Sequence, residues 1–276
     1  MRRLGHGWRF GVIMVVALGV LAADGWWLVH TRDLKLAELA RQDTPRAETA
    51  TAVAQAAALT SARATFTTQV SGLTTVFGRV SEQLRPQRTT LTMTTVDGAD
   101  RFGVTEVVTD SAVFLRAPGL ANSVGKPWIS VPVAGLTADP ALMGLYQTGA
   151  IPTIDAAMIG TATGVRSTGP QTVNGVRTTR YVGTIEPAQA LRRLSRAERQ
   201  LLAPELTAVS GDLQFVAWID AHHNLVKLQT SATIDGLSTV TTVVVTAFNQ
   251  RLHVTVPPES QVSALTANDL RTTSNG

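Results

Sequence analysis

The side chains able to do chemistry are few and scattered along this chain. Cysteine is absent from all 276 residues, which removes a thiol nucleophile, a cysteine-ligated metal and any disulfide framework. Of the five histidines only His222 and His223 are adjacent. Neighbouring residues on a strand point to opposite faces, so such a pair rarely reaches one ion. Lying between Asp220 and Asn224, it reads as a solvated turn. The acids available for paired-carboxylate chemistry, Glu106, Asp110, Asp155, Asp212 and Asp220, each fall near a predicted strand end or turn. They read as ordinary surface acids, with no pair singled out. Serine is plentiful, but no Gly-x-Ser-x-Gly elbow occurs, and no glycine loop has phosphate-binding spacing. The expectation is a protein that is not an enzyme and has no cofactor and no metal.

Charge narrows the class further. The formal net charge is +4, but Arg2, Arg3, Arg9 and Arg32 against Asp24 place +3 of it in the first 32 residues and leave +1 for the other 244. A nearly neutral body without a basic, aromatic-interleaved stripe excludes a nucleic-acid partner. The N-terminal arginines precede an apolar run, Phe10 to Ala23, that resumes at Trp26-Trp27-Leu28-Val29. Positions 10–29 are enough to cross a bilayer of about 30 Å, with the tryptophans at headgroup level. An uncleaved signal anchor with the domain outside the cell membrane is favoured; cleavage after Val20-Leu21-Ala22 would make the domain secreted.

The remaining elements are those that position a site. Residues 33–60 predict helix interrupted at Pro45. From Ser61 onward, threonine–valine alternation predicts strands at 64–70, 73–84, 89–96, 102–109, 112–117 and 128–133. Asp139–Met158 reads as helical, and strands resume at Val165. Asn174-Gly175 is a hairpin signal leading into 176–185. Residues 187–209 predict an amphipathic helix whose arginines form a solvated face, the alternative being contact with anionic headgroups of an extracytoplasmic leaflet. Strands at 213–220, 225–234 and 237–248 follow, with a short edge segment at 252–256.

Ten or eleven consecutive antiparallel strands close over a core only if the sheet curls. The predicted class is therefore α+β, a strongly curved antiparallel half-barrel with helices over its concave face, plus an N-terminal membrane helix. The expected segments are a cytoplasmic n-region at 1–9, the anchor at 10–29, a juxtamembrane stretch at 30–46, one domain at 47–262 and a tail at 263–276. A curled sheet incompletely filled by helices leaves an apolar cavity, expected at several hundred Å³. The candidates for lining it are Phe66, Phe77, Phe102, Phe114, Trp128, Leu145, Met158, Phe215 and Trp218.

Several of these segments resemble a known family. Gly169-Pro170 followed by Val173-Asn174-Gly175-Val176-Arg177-Thr178-Thr179-Arg180-Tyr181 is similar to the G-x-x-x-V-x-G-V-x-T-x-R-Y stretch of the actinobacterial LppX/LprA/LprF/LprG lipoproteins. Val216-Ala217-Trp218-Ile219-Asp220 leading into Leu225-Val226-Lys227 resembles their V-x-W-I-D and L-V-R hairpin. Lys126-Pro127-Trp128-Ile129 and Val254–Pro258 fit the same layout. The resemblance spans roughly 50–262 and implies a fold like the LolA/LolB carriers, with lipid or lipoglycan as partner. One departure stands out: Leu21-Ala22-Ala23 is followed by Asp24 where the family carries its lipidated cysteine, so an anchor would substitute for the lipid. The expected function is a tethered lipid-binding carrier. The alternative is an envelope sensor of the same fold that acts through a membrane protein partner.

Overall fold

The computed structural model describes residues 44–84, 87–119, 125–133, 158–193, 199, 203, 206–234 and 236–265. The apolar run at 10–29 and the segment containing Leu145 and Asp155 lie outside them. Among the described residues no helix is long and apolar enough to cross a membrane.

Helix α1 (Thr44–Ala57) begins where Pro45 was expected to interrupt. A proline in the first turn forfeits no helical hydrogen bond and presets φ, so it starts the helix. Strands β1 (Ser61–Val70), β2 (Thr74–Leu84), β3 (Gln87–Asp97), β4 (Asp100–Val108), β5 (Ala112–Arg116) and β6 (Trp128–Pro132) follow. After them come β7 (Thr163–Val173), β8 (Val176–Ile185), helix α2 (Pro187–Arg193), β9 (Val209–Asp220), β10 (Leu225–Ile234), β11 (Leu237–Phe248) and β12 (Val262–Ala264). The expected helix at 187–209 is described as α2, with residues 206–208 helical before β9.

All twelve strands form one sheet in the order β12-β6-β5-β4-β3-β2-β1-β11-β10-β9-β8-β7. It is large, curved and unclosed, with few helices. Two antiparallel meanders, β1–β6 and β7–β11, meet at the β1–β11 seam, where Phe66 faces Val243 and Thr68 faces Thr241. The threonine hydroxyls there lie 3.1 Å apart and share a hydrogen bond.

Two expectations are corrected. The sheet has twelve strands rather than ten or eleven, and one pair is parallel: β12 runs beside β6 with Val262 opposite Trp128. Residues 252–256 form no strand. They are extended, with Leu252 and Val254 buried and Arg251, His253 and Thr255 exposed. Val254 packs with Val107 and Trp128, against Phe114 and Val262, so side-chain burial takes the place of a ladder. Of the two edge strands, β7 carries Pro170, where a missing N–H costs least, and Pro132 ends β6 beyond the residues that pair with β12.

Register divides the side chains between two faces. Across β11-β1-β2-β3-β4 one row reads Val243, Phe66, Gly78, Met93, Val104. This inner face carries two apolar clusters. The first joins α1 residues Ala52, Val53 and Ala56 to Tyr181, Ile185, Phe215, Ala217 and Leu228 of the second meander, with Met158, Ile159 and Leu206. The second comprises Ala64, Phe66, Val76, Val80, Leu91, Met93, Val243 and Val245, with Val104 and Phe248 against it. Among the described residues, every member of this second cluster belongs to a strand.

Candidate ligand-binding face

Strand alternation builds the wall of the second cluster. In β1, Ala62, Ala64, Phe66, Thr68 and Val70 are buried while Arg63, Thr65 and Gln69 are exposed, as a two-residue period demands. The same parity continues through β2, β3 and β4 by register. The result is an apolar surface five strands wide.

Two phenylalanine–glycine pairs recur on this face. Phe66 stands opposite Gly78, and Phe215 opposite Gly183. A Cβ on Gly78 would meet the Phe66 ring at 2.9 Å and collide with the Thr92 carbonyl. A Cβ on Gly183 would meet the Phe215 ring at 2.6 Å. Each ring therefore lies over the backbone of its neighbouring strand, in space that only glycine leaves open. Aromatic rescue of a strand glycine is a known device for packing and bending sheets.

The nine candidate lining residues divide by face. Phe66 and Phe215 are buried on the inner face, Met158 belongs to the α1-side cluster, and Phe102 shares the inner face through its pairing with Thr95. Phe77 has outer parity and is 41% exposed. Phe114 and Trp128 sit on the outer face under the C-terminal segment. Trp218 is also on the outer face, flanked by Lys227 at 4.4 Å and Arg180 at 5.7 Å, and its Nε1–H donates to Gln171 Oε1 at 2.6 Å. Leu145 lies outside the described residues.

The reading of Glu106 as a surface acid is corrected. Glu106 and Glu82 are each 1% exposed on the inner face; Glu106 pairs with Leu91 and Glu82 with Thr89. Glu82 is a buried acid that the sequence analysis does not single out. The signal was present: Glu82 follows Val76, Gly78 and Val80 at even positions, whereas Phe77 and Arg79 take the odd ones.

Asp220 holds the β9–β10 turn: its Oδ1 accepts from the backbone N–H groups of His222 and Asn224 at 2.8 Å each, and its Oδ2 accepts from Asn224 Nδ2 at 2.9 Å. His222 is exposed, and His223 in this turn has its Nδ1 2.9 Å from Glu48 Oε2 of α1. Tyr181, buried beneath α1, has its phenol pushed up from the usual value of 10.0, mainly by desolvation and secondarily by the Glu48 charge, with a hydrogen bond to Thr179 acting the other way. Among the described residues no group of three metal-ligating side chains occurs.

Among the described residues, two of the spaces beside the sheet bear on the site. A crevice of about 10 Å³ lies between α1 and the inner face, lined by Gln55, Ala56, Leu59, Asn224, Leu225, Val245 and Phe248; it is the size of a single water. An open groove of about 310 Å³ runs along β3 and β4 and is lined by Thr92, Thr94, Gly103, Thr105, Arg116 and Pro118 among others. The cavity expected at several hundred Å³ was placed inside the sheet; the larger of these two spaces is on the outside.

No family model and no curated protein matches the chain. Among solved structures it is similar to the lipoprotein LppX of Mycobacterium tuberculosis, at 16% identity and a TM-score of 0.47, over 76% of this chain and 98% of that one. It is similar to LprF of Mycobacterium bovis at 14% identity and a TM-score of 0.45, over 78% and 96%. A putative outer membrane lipoprotein-sorting protein domain of Vibrio parahaemolyticus matches at 9% identity and a TM-score of 0.26, over 70% and 87%. The chain is thus similar to LppX- and LprF-type lipoproteins.

Proposed function

We propose that this chain is an extracytoplasmic lipid- or lipoglycan-binding protein, tethered to the cell membrane by residues 10–29 and acting without covalent chemistry. The observation that carries the reading is the apolar wall, formed by strands among the described residues, from Val245 and Val243 through Phe66 and Val80 to Leu91 and Met93. An aliphatic and aromatic surface on a wide, unclosed sheet, bordered by the buried carboxylates Glu82 and Glu106, suits acyl chains. Burying each methylene stabilises the complex by about 0.8 kcal/mol. Phe66, Phe102, Met158 and Phe215 are the inner-face residues of the proposed lining. Non-covalent binding needs none of the nucleophile, metal or paired-acid arrangements that the sequence lacks.

The narrow crevice beneath α1 supports a second reading, an envelope sensor whose core is self-filled and whose partner is a protein. Native mass spectrometry of the chain purified from its host membrane separates the two. A stoichiometric bound lipid, lost on Phe66→Asp, is expected for the carrier. Protein that is free of lipid and rejects added lipids refutes it.

A further inference from the structure

The pleat sorts charge as strictly as it sorts hydrophobicity. Strands β1 to β5 contain five arginines, Arg63, Arg79, Arg88, Arg101 and Arg116, and all five have outer parity and are exposed. The same strands contain four carboxylates, Glu82, Asp97, Asp100 and Glu106, and all four have inner parity. The adjoining β10 and β11 carry no acid. The outer face of this half of the sheet is therefore cationic without an opposing charge on its strands, although the body of the chain is nearly neutral.

Its other side chains have a consistent chemistry. Arg79, Thr92, Thr105 and Arg116 form one row across four strands, and Arg116 is held 5.1 Å above the Trp128 ring. The next row reads Thr67, Phe77, Thr94, Gly103. The open groove lies over these rows. A Cβ on Gly103 would have open space around it. Phe77 is exposed beside the groove, and Leu73, 51% exposed, projects from the β1–β2 turn.

Exposed guanidinium groups, hydroxyls and a few exposed apolar side chains on one face are the composition of a surface that rests on anionic lipid headgroups. We propose that the outer face of β1–β5 docks on an anionic bilayer, with a headgroup phosphate in the groove between Thr92, Thr105 and Arg116 and with Phe77 and Leu73 at the interface. The proposal rests on the tethered reading for its setting, because a tether at residues 10–29 would hold the domain beside a leaflet. Its test does not depend on any lipid being held on the inner face.

The natural absence of cysteine permits a single reporter. Gln69→Cys, exposed on the outer face of β1, carries an environment-sensitive fluorophore on the full chain. The labelled chain is reconstituted in nanodiscs of phosphatidylcholine alone or mixed with phosphatidylglycerol. The expected result is a blue shift, with quenching by headgroup-labelled lipid, only in the anionic discs and abolished by about 0.5 M salt. Arg79→Gln with Arg116→Gln should reduce docking about twenty-five-fold, from roughly fivefold per basic residue near an anionic surface. Arg101→Gln alone should cost about fivefold, and Arg166→Gln with Arg177→Gln, at the far end of the sheet, should change nothing. An equal signal in both discs, a signal indifferent to the Arg79 and Arg116 changes, or one displaced by inorganic phosphate alone would overturn the proposal. Loss of copurified lipid with docking intact would instead count against the carrier reading.

Discussion

Gly78 and Gly183 look equivalent in the sequence, each facing a phenylalanine across a ladder, yet their surroundings predict different responses to one added methyl group. Neither has a left-handed backbone, so alanine at either site would gain about 0.4–1 kcal/mol from a less flexible unfolded chain if nothing obstructed it. At Gly78 the new Cβ collides with the Thr92 carbonyl, a backbone atom of the neighbouring strand, and also meets the Phe66 ring at 2.9 Å. A carbonyl in a ladder cannot rotate away, so the strands must part. Overpacking of this kind costs about 1–3 kcal/mol, and the fixed obstacle puts Gly78→Ala near the top, for a net loss of about 2 kcal/mol. At Gly183 the close contacts are the Phe215 ring at 2.6 Å and 2.9 Å, and the nearest backbone atom, the Thr163 carbonyl, is at 3.3 Å. Relief there needs only a smaller side chain, so Gly183→Ala should cost about 1 kcal/mol net. Urea unfolding followed by tryptophan fluorescence measures both. Phe215→Leu placed in the Gly183→Ala background should show favourable coupling of about 1 kcal/mol, whereas Phe66→Leu should rescue little of Gly78→Ala. The reasoning fails if Gly78→Ala is as stable as the parent chain, or if the Gly183–Phe215 cycle shows no coupling.

Other expectations follow from single contacts. Phe66→Ala, at a site 2% exposed, should destabilise by about 3–5 kcal/mol in the same unfolding assay. Tyr181 has a folded-state pKa above 10.0, so its neutral form is favoured by folding. That contribution is complete below pH 10 and lost as pH rises from there through the raised folded value; Tyr181→Phe should flatten the alkaline limb of a stability–pH curve while leaving the neutral region level. Asp220→Ala removes the acceptor of three hydrogen bonds in the β9–β10 turn and should cost about 1–2 kcal/mol, with Asp220→Asn recovering part of it. Lys227→Ala removes a cation 4.4 Å from the Trp218 ring centroid and should cost about 0.5–1 kcal/mol, read as a small fall in the urea midpoint together with a change in tryptophan emission.

Much of the fold was legible because a half-buried strand writes its face into every second residue. The alternation in Ala64, Phe66, Thr68 and Val70 located β1 and its buried side, and Asn174-Gly175 located the β7–β8 turn, where Asn174 has a φ of +48°. What alternation left out was phase between strands. Phe77 and Phe66 are equally apolar, and only the β1–β2 register, with Gly78 opposite Phe66, turns Phe77 outward. Register is set by turn geometry and by the burial of a whole row, neither of which a single segment reveals. The segment 252–256 misled for a related reason: alternating burial is the mark of an extended chain against a surface, whether or not a ladder partner exists. Glu106 was misplaced because an acid near a strand end reads as solvent-facing on residue type alone, while its parity with Val104 and Val108 puts it inside.

The order of the strands divides the inner face into two halves built from different meanders. The chain walks outward from β1 to β6, resumes at the far edge with β7, and returns to close the seam with β11. Helix α1 precedes β1 in sequence yet packs on the second meander, touching β7, β9 and β10, where its Ala52, Val53 and Ala56 complete a core with Phe215 and Ile185. That half is closed by the chain's own helix, and the crevice beneath it has room for no more than a water. Among the described residues the first meander's inner cluster is drawn from strands, and its outer face holds the five exposed arginines. An acyl chain taken up on the first half would thus lie on the same few strands whose other side presents cations. Uptake and docking would then share β1 to β4, so a substitution that shifts register there, such as Gly78→Ala, should weaken lipid retention and anionic docking together. A substitution at Ala52 or Val53 of α1, outside the proposed lining, should weaken neither beyond its effect on stability.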